Sequence, residues 1–498
     1  MNYVIFTIFF LIILWIIILY IVYKKKSNYI SLYGPTIMLK TERGKKFIQD
    51  ISKHRIWDYY GIFSIIFLII GMVFTVGFLI WEAIIIITIP RVYTPSPLSI
   101  LGIPGINPYI PVLYGIIALI IAVVLHEFSH GIESARNNVK IKSLGVLLLI
   151  IPVGAFVEPD EEQLKSEKSL VRMKIFSSGP VTNLILAIIS LLIMIMIVNT
   201  SVPVSSGAVI LSSSNTSLMP GDIILKIDNM SVNSTILNSI NLNPGKNVSV
   251  LILHDGKRYY ENVMAGIYIN SVLKNSPAYI SGMKPGMVLI KMDGYILNNI
   301  TYFQKILYRF SPGERVNFTV YYNKNILNIS LLLIDKYSFY EKYYPSYNNM
   351  EYKSQPFIGI VPLYMNITYT DPEYIYLLFS NPFSSGPFNG FLHIISLPFS
   401  GLEPLPSYLY PIFITPINPG YFWFTVNVFY WLFWINLMLG LTNLLPLIPL
   451  DGGYLFRDLF IFFYKDRKDY EAFADKISTV ISFFILFLLI WQIYFLYF

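Results

Sequence analysis

Six apolar stretches, each long enough to cross a lipid bilayer, constrain the fold of this 498-residue chain more than any other feature. A membrane-spanning helix needs about 20 consecutive apolar residues, because the hydrocarbon core of a bilayer is about 30 Å thick. Charged residues make up only 13% of the sequence, far fewer than in a soluble globular domain. The pattern predicts a polytopic α-helical membrane protein, with spans at residues 3–23, 61–89, 110–132, 176–198, 426–448 and 477–498.

The first apolar stretch is predicted to be a retained helix rather than a signal peptide. Its apolar run is longer than the roughly 7 to 15 residues of a signal-peptide core, and no basic segment precedes it. Lys24, Lys25 and Lys26 follow it directly. Basic residues in that position are typical of the cytoplasmic end of a membrane span.

The distribution of lysine and arginine predicts the side of the membrane on which each loop lies, because cytoplasmic loops are enriched in these residues. Basic residues are concentrated in three loops: nine in residues 24–58, seven in 133–175 and five in 455–476, against only Arg91 in the loop 90–109. These three loops are predicted to be cytoplasmic, with both termini and residues 199–425 extracytoplasmic, in a multi-pass protein of the cell membrane. Basic loops facing anionic lipid also account for the net charge of +7, so no nucleic acid partner is needed.

The third apolar stretch ends in the sequence His-Glu-Phe-Ser-His. In a helix, residues four positions apart lie on one face, so His126 and His130 can bind one metal ion. Glu127, next to the first histidine, is placed to act as a general base. Residues 112–125 before the motif are almost all apolar, and ionisable groups at membrane depth are costly and usually functional. The pattern predicts a zinc hydrolase site within the bilayer.

A catalytic zinc site usually has three protein ligands and an open position for water, so one more ligand is needed. The chain has no cysteine, which leaves histidine and carboxylate. The remaining histidines, His54, His254 and His393, lie at no matching depth. The best candidate is Asp451, at the inner end of the fifth stretch and on the same side of the membrane as His130. An Asp-Gly-Gly sequence is also ordinary turn chemistry, and the local sequence alone leaves that interpretation open.

The two motifs HEFSHG and NLLPLIPLDGG together resemble the site-2 protease family of intramembrane zinc metalloproteases, in its prokaryotic, archaeal type with PDZ-like domains. The resemblance implies one catalytic Zn²⁺ held by His126, His130 and Asp451. Water would take the fourth position, and Glu127 would be the base. The resemblance also implies a catalytic role for Asn443, whose counterpart in the family is proposed to hydrogen-bond the substrate carbonyl or the oxyanion.

Two further segments resemble motifs of the same family. Residues 179–183 (GPVTN) match its GPxxN motif and make Asn183 a candidate catalytic residue, although Gly-Pro followed by polar residues is also a common helix start. Residues 145–158 resemble a membrane-embedded hairpin thought to hold the substrate as an added strand, with Gly145 and Phe156 as candidate substrate-binding residues. A short buried apolar element is the alternative for these residues.

Two similar sequences occur between the fourth and fifth apolar stretches. PGDIILKIDN at residues 220–229 recurs as PGMVLIKMDG at 285–294, and both repeats alternate turn residues with short β-rich runs. The second repeat resembles the core of a PDZ domain of the bacterial protease type, and the first is a weaker relative. The sequence therefore predicts an extracytoplasmic insertion of two small PDZ-like α+β domains, at residues 203–265 and 266–337.

A PDZ domain binds an extended chain end by adding it as a strand. The resemblance implies that the backbone amides of Gly266 and Ile267 belong to the loop that binds the terminal carboxylate of a peptide. The alternative is that the two domains only exclude bulky substrates, and the sequence does not separate these roles. Residues 338–425, which follow, are rich in tyrosine, phenylalanine and proline, as expected of a segment at the outer membrane interface.

The predicted function is that of an intramembrane zinc metalloendopeptidase, which hydrolyses peptide bonds in or near transmembrane segments during regulated intramembrane proteolysis. Its partners would be transmembrane protein substrates, the lipid bilayer and, at the PDZ-like domains, peptide termini. Apart from the extracytoplasmic region, the predicted organisation is a first transmembrane helix with its basic cytoplasmic loop (1–58), a membrane core with HEFSH, hairpin and GPVTN (59–198), and a membrane core with the LDGG motif and the last helix (426–498).

Two other classes of protein remain as alternatives. A non-proteolytic membrane scaffold would gather partners through the PDZ-like domains, and it predicts a broken metal set. A zinc transporter would require further ionisable residues along several spans. Residues 176–198 and 478–498, in the fourth and sixth stretches, contain none.

Overall fold

The computed structural model describes residues 2–24, 29–88, 97–100, 102–149, 151–204, 207–214, 217–345, 348–465 and 469–497. Some basic residues on which the predicted orientation depends lie outside these described residues: Lys25, Lys26, Arg91, Arg467 and Lys468. The chain forms two compact units. The helical unit comprises Met1–Thr88, Thr94–Ile193 and Val428–Phe498, and the sheet unit comprises Ile89–Tyr93 and Met194–Asn427.

Five helices in the described part of the chain are long and apolar enough to cross a membrane, and they correspond to the second to sixth predicted spans. The first apolar stretch also forms a helix, of 23 residues. The helices are α1 (Asn2–Lys24), α2 (Lys45–Ser52), α3 (Ile56–Thr88), α4 (Val112–Arg136), α5 (Glu161–Ser166), α6 (Ser169–Val198), α7 (Pro277–Ile280), α8 (Ile300–Leu307), α9 (Lys336–Tyr343), α10 (Pro372–Ser380), α11 (Pro387–Ser396), α12 (Pro419–Asn443), α13 (Asp451–Tyr464) and α14 (Tyr470–Tyr497).

The strands fall into two groups, four in the helical unit and the rest in the sheet unit. They are β1 (Ile30–Tyr33), β2 (Thr36–Thr41), β3 (Ile141–Leu149), β4 (Ile151–Pro159), β5 (Val202–Pro203), β6 (Ala208–Ser213), β7 (Ile223–Ile227), β8 (Met230–Ser231), β9 (Asn247–His254), β10 (Lys257–Met264), β11 (Ile267–Val272), β12 (Val288–Met292), β13 (Tyr295–Ile296), β14 (Arg315–Tyr322), β15 (Asn325–Leu332), β16 (Ile334–Asp335), β17 (Pro356–Phe357), β18 (Ile360–Tyr364), β19 (Ile367–Thr370) and β20 (Phe413–Ile414).

The fifth predicted span ends earlier than its hydropathy suggests. Its helix, α12, stops at Asn443, whereas the apolar run continues to residue 448. Pro446 and Pro449 lie in that continuation, and proline lacks the backbone N–H that a helix interior requires. The chain turns there, and α13 begins at Asp451.

Helix α4 packs through a face of small residues. Gly115, Ala118 and Ala122 are buried at helical spacing, and His126 and Ser129 continue the same face. Small side chains let helices approach closely in a membrane, where close packing has to replace the hydrophobic effect. The imidazole of His126 is thereby carried into the interior of the helical unit, where the residue is only 7% exposed.

The predicted hairpin exists as β3 and β4, and it is half of a larger sheet. The loop after α1 contributes two more strands, so the order is β1-β2-β3-β4 with every neighbouring pair antiparallel. Lys40 of β2 forms an ion pair with Glu158 of β4 at 2.9 Å. Two loops that were predicted to be cytoplasmic from their charge are therefore parts of one sheet.

The sheet unit contains two six-stranded sheets with the same strand order. One sheet has the order β10-β9-β7-β6-β19, with β8 paired to β7, and the other has the order β15-β14-β12-β11-β18, with β13 paired to β12. The repeated sequences supply β7 and β12, which occupy equivalent positions in the two sheets. The repeat in the sequence thus corresponds to a repeat in the structure.

The outer strand of each sheet comes from the aromatic segment 338–425. β18 pairs antiparallel with β11, and β19 pairs antiparallel with β6. The two sheets share one hydrophobic core, which includes Tyr364 and Ile367 from these strands. The Tyr364 hydroxyl donates to Ile240 O at 2.9 Å and to Asn298 O at 3.1 Å, one carbonyl from each predicted domain. Part of the segment predicted to lie at the membrane interface is therefore built into both sheets.

Candidate metal centre

Three ligand atoms from two helices converge in the helical unit. His126 Nε2 and His130 Nε2 lie 3.1 Å apart, and Asp451 Oδ2 lies 3.2 Å from the first and 3.4 Å from the second. No other group of three metal-binding side chains occurs among the described residues. The structure therefore brings together the three residues predicted to bind zinc.

This donor set fits a tetrahedral zinc ion. Ligand atoms about 2 Å from a tetrahedral metal lie about 3.3 Å from one another, close to the three distances between the donors. Imidazole nitrogen and carboxylate oxygen are both common zinc ligands, and three protein ligands leave one position for water. The arrangement is therefore that of a catalytic rather than a fully ligated structural site.

Gly179 on α6 leaves the space that such an ion requires. A Cβ atom at this position would collide with His130 Nε2 and would lie 2.7 Å from His126 Nε2. Even a methyl group would thus displace both imidazoles. Sequence reasoning assigned no role to this glycine, although it opens the GPVTN motif one helical turn before Asn183.

Helix α6 also holds the ring of His130 in the orientation that a metal needs. His130 Nδ1 donates to the carbonyl oxygen of Ile175 at a distance of 2.6 Å. A proton on Nδ1 leaves Nε2 with a free lone pair, which is the form of imidazole that binds metal. A backbone carbonyl of one helix thus sets the tautomer of a ligand on another, and no sequence pattern indicated this contact.

Asn183 lies beside Nδ1 of His126, where its side chain can set the tautomer of that imidazole. Its side-chain nitrogen lies 3.1 Å from His126 Nδ1, and its Oδ1 is buried without a hydrogen-bond partner in the described part of the chain. With the amide turned by about 180°, Oδ1 accepts the Nδ1–H of His126, which satisfies the oxygen and leaves Nε2 for the metal. This geometry suits structural support of the metal-bearing helices, which is the alternative to the direct catalytic role for which the motif made Asn183 a candidate.

Two glycines after Asp451 allow the chain to fold tightly at the start of α13. A Cβ atom on Gly452 would lie 2.5 Å from Leu445 O, and one on Gly453 would lie 2.5 Å from the carbonyl carbon of Leu447. Any other residue at either position would push the preceding turn away. The glycines of the LDGG motif therefore have a packing role, which holds Asp451 at the helix start.

Hydroxyl groups join α3, α4 and α6 beside the metal centre. Tyr60 Oη lies 2.9 Å from Ser178 O and 2.5 Å from Thr182 Oγ1, which in turn lies 2.7 Å from Ser129 Oγ. Hydrogen bonds between helices satisfy polar groups that lipid cannot satisfy. This network ties the helix that carries both histidines to the helix that supports them.

The carboxylate of Glu127 meets the edge of the four-stranded sheet. Its Oε2 accepts a hydrogen bond from Val157 N of β4 at 3.1 Å. Alternate backbone N–H groups of a strand point to the same edge, so this bond marks the edge of β4 that faces away from β3. Ala155, two residues earlier, presents its backbone groups along that edge. The outer edge of β4 thus runs beside the predicted general base.

The two predicted substrate-binding residues of the hairpin lie on different strands. Gly145 is on β3, where Lys40 of β2 and Phe156 of β4 are its neighbours. A Cβ atom on Gly145 would collide with Leu39 O and with the Phe156 ring, so the strands are packed tightly around it. Both edges of β3 are paired. Only Phe156 lies on a strand whose other edge is not paired with a strand among the described residues.

The side-chain amide of Asn443 forms a hydrogen bond within its own helix. It lies at the end of α12, and its Nδ2 donates to Leu439 O of the same helix at 3.1 Å. An oxyanion role for Asn443 requires the amide to leave this carbonyl.

Gly266 and Ile267 have backbone partners on both sides within the sheet unit. Gly266 O accepts from Met365 N at 3.0 Å, and Ile267 lies between Leu289 of β12 and Tyr364 of β18. Both edges of β11, the strand that begins at Ile267, are thus paired with strands of the chain itself, β12 and β18.

The three histidines that were excluded as ligands lie elsewhere. His54 is in the turn between α2 and α3. His254 Nδ1 lies 2.6 Å from Oδ1 of the buried Asp222, and His393 lies near the Tyr374 ring. None of them joins the metal group among the described residues.

Three comparisons show which known proteins this chain resembles. The sequence profile of peptidase family M50 matches residues 114–489, a range that contains all three ligands. An uncharacterized protein of Methanocaldococcus jannaschii is 33% identical over 256 residues, which make up 49% of this chain and 67% of that protein. A solved PDZ domain of the SdrC-like protein from Listeria monocytogenes shares 17% identity over 20% of this chain and 87% of that domain, with a TM-score of 0.16.

Proposed function

This chain belongs to peptidase family M50, the site-2 protease family, and we propose that it is an intramembrane zinc metalloendopeptidase. The proposed reaction is the hydrolysis of peptide bonds in or near transmembrane segments of membrane proteins, as in regulated intramembrane proteolysis. The observation that carries this proposal is the convergence of His126, His130 and Asp451 around the space left by Gly179.

In this mechanism Glu127 is the group that moves the proton. A zinc ion held by the three ligands would polarise the scissile carbonyl and lower the pKa of a bound water. Glu127 takes the proton of that water as general base and then delivers it to the departing amine as general acid. The hydrogen bond from Val157 N supports the carboxylate at the edge of the sheet.

A substrate helix has to unwind before its peptide bond can react. In lipid, a transmembrane helix satisfies all of its backbone groups internally, so exposing one bond requires compensating hydrogen bonds. The outer edge of β4 offers these at Ala155, whose backbone groups point away from β3. We propose that the unwound segment adds to this edge as a strand, which places its peptide bonds beside Glu127.

Two asparagines would support the reaction in different ways. Asn443 is proposed to donate to the oxyanion that forms on the substrate carbonyl, because a neutral amide is a suitable donor to a developing negative charge. For this its Nδ2 must turn away from Leu439 O. Asn183 is proposed to hold His126 rather than to touch the substrate.

The proposed orientation places the basic loops in the cytoplasm and the sheet unit outside. The pairing of β1 and β2 with the hairpin supports a common side for the loops 24–58 and 133–175, because strands of one sheet cannot lie on opposite sides of a bilayer. Cleavage near this side would release a fragment into the cytoplasm.

We propose that the two PDZ-like sheets restrict which substrates reach the active site rather than binding peptide ends. Strand addition needs an unpaired edge, and β18 and β19 already pair with the strands to which a peptide would add. Gly266 and Ile267 would bind a peptide terminus only if β18 were displaced.

The test compares the wild-type chain with Glu127→Gln in cells that express candidate single-span substrates tagged at both ends. Glu127→Gln is expected to lose cleavage by about 100-fold or more, because it removes the general base. Its zinc content should equal that of wild type, since Glu127 is not a ligand. Glu42→Gln, at a side chain that is 79% exposed in the loop after α1, is the matched control and should cleave normally.

Equal cleavage by the wild type and by Glu127→Gln would contradict the protease proposal. Binding of partners without cleavage, unchanged when the metal ligands are substituted, would favour a scaffold. Zinc flux into vesicles that contain the purified protein would favour a transporter.

A further inference from the structure

Helices α6 and α13 run antiparallel in the helical unit and meet in three successive layers. Each step of three or four residues along α6 toward the metal centre is matched by an equal step backwards along α13. The layers are Arg172 with Asp458 (an ion pair), Phe176 with Tyr454 (stacked rings with centroids 5.0 Å apart), and the metal centre, which Gly179 of α6 borders at the two imidazoles and to which Asp451 of α13 belongs.

The ion pair of the outermost layer is bidentate and buried. Arg172 Nε lies 3.0 Å from both carboxylate oxygens of Asp458, and Nη2 lies 2.6 Å from Oδ1. Nη1 donates to Lys165 O at 3.2 Å and to Glu167 O at 2.6 Å, in the chain before α6. Asp458 is 1% exposed. The Arg172 guanidinium, on α6, therefore binds both α13 and the segment that precedes α6.

The position of this pair matters because Asp458 follows Asp451 by seven residues on α13. Seven residues are about two helical turns, so the two carboxylates lie on one face of the helix. A rotation of α13 by about 20° would move a side-chain atom about 6 Å from the axis by about 2 Å, since a helix with side chains is 10–12 Å wide. Such a movement would separate Asp451 from the two imidazoles.

Stability alone does not account for the pair. Burying two charges costs about as much desolvation energy as their attraction returns, so apolar residues of similar size are often as stable. A bidentate guanidinium–carboxylate pair, in contrast, restricts both distance and orientation.

We propose that Arg172 and Asp458 are a positioning pair for the metal centre, which fixes the register and rotation of α13 on α6 so that Asp451 reaches His126 and His130. The proposal rests on the three-ligand site of the proposed function and does not depend on the proteolytic reaction.

The decisive variant is the double substitution Arg172→Met with Asp458→Leu, which replaces the ion pair with apolar side chains. In the purified full-length protein in lipid nanodiscs, the melting temperature without zinc is expected to stay near that of wild type. The affinity for zinc, measured by competition with a chelator, is expected to fall at least tenfold. An unchanged zinc affinity in this folded variant would overturn the proposal.

The neighbouring ion pair on α13 supplies the control, because its carboxylate, Asp475, reaches Asp458 only through the 3.6 Å contact between Arg457 Nη1 and Asp458 Oδ1. Arg457 pairs with Asp475 of α14, and these side chains are 27% and 56% exposed. Asp475→Asn is expected to leave zinc affinity within twofold of wild type. An equal loss in Asp475→Asn would show a general loosening of α13 and would also overturn the proposal.

Two conservative single variants test the same proposal if the double variant does not fold. Arg172→Lys keeps the charge but loses the bidentate geometry, and Asp458→Asn keeps the size of the side chain. Each is expected to lower zinc affinity at least threefold, and wild-type affinity in both would contradict the proposal. Zinc affinity is measured without substrate, so normal zinc binding with no cleavage would contradict only the proposed function.

Discussion

His126 and His130 each present Nε2 to the metal position, because α6 occupies the other nitrogen of each ring. The partner of one imidazole is the carbonyl of Ile175, and that of the other is the Asn183 amide. The spacing of four residues in HEFSH predicts only that both rings lie on one face of α4. Which ring nitrogen binds the metal depends on contacts from a helix that starts more than thirty residues later.

The first prediction concerns the space left by Gly179. Gly179→Ala is expected to abolish zinc binding, because the added methyl group would collide with His130 Nε2 and approach His126 Nε2 to 2.7 Å. The zinc content of the purified protein, measured by atomic absorption, tests this. Gly77→Ala on α3 is the control, since a Cβ atom there would meet nothing within 4 Å. Full zinc occupancy in Gly179→Ala would show that the ion binds elsewhere.

The second prediction separates the two roles considered for Asn183. Asn183→Leu removes the partner of His126 Nδ1 and is expected to weaken zinc affinity by about 10- to 100-fold, as substitution of residues that orient metal ligands typically does. Chelator competition measures the affinity. A direct catalytic role predicts the opposite pattern, in which zinc affinity stays at the wild-type value while cleavage is lost.

At the scale of secondary structure elements, the hairpin and the repeat of β-rich segments were predicted, but the strands that pair with them were not. Alternating apolar residues and turn signals indicate that a strand exists. They do not indicate which distant strand pairs with it. β2 pairs with β3 although they lie about a hundred residues apart, and β18 joins β11 across a comparable distance. Such pairings depend on edges that become adjacent only after folding.

The third prediction concerns the edge of β4. Val157→Pro removes the N–H that donates to Glu127, and the bonds to β3 remain, because this N–H points away from them. Cleavage is expected to fall about tenfold or more while zinc content is unchanged. Val157→Ala, which keeps the N–H and shortens the side chain, is the control for lost packing. If the proline variant cleaves as well as the alanine variant, the edge of β4 has no part in the reaction.

At the scale of the whole molecule, the chain combines a membrane-spanning unit with a large sheet unit inserted between α6 and α12. The family profile covers both, since its match extends across the insertion. Membership in the family was predicted from two short motifs and is confirmed by this match.

The fourth prediction tests the orientation of the chain across the membrane. The chain has no native cysteine, so an introduced cysteine is the single site that a thiol reagent can label. Single variants Glu42→Cys, Glu161→Cys and Asn328→Cys carry the only thiol at exposed positions of two basic loops and of the sheet unit. A membrane-impermeant maleimide is expected to label Asn328→Cys in intact cells, and the other two only after permeabilisation. Labelling of Glu42→Cys in intact cells would invert the proposed topology.

The sequence by itself determined the features that depend on neighbours in the chain. Hydropathy over about 20 residues marks a span, and the spacing of His126 and His130 places two rings on one helix face, because both follow from the geometry of a single helix. Asp451 was selected as a candidate from its position at the inner end of a predicted span, and the family resemblance then implied its role as a ligand.

Only the tertiary structure decided what completes the site. It brought Asp451 within 3.4 Å of both imidazoles, assigned a role to Gly179 and closed the edge of β11 with β18. Each of these depends on the packing of segments that are distant in the chain. The free energy of such contacts comes from shape and hydrogen bonding between surfaces, and no local pattern of residue types encodes which surfaces meet.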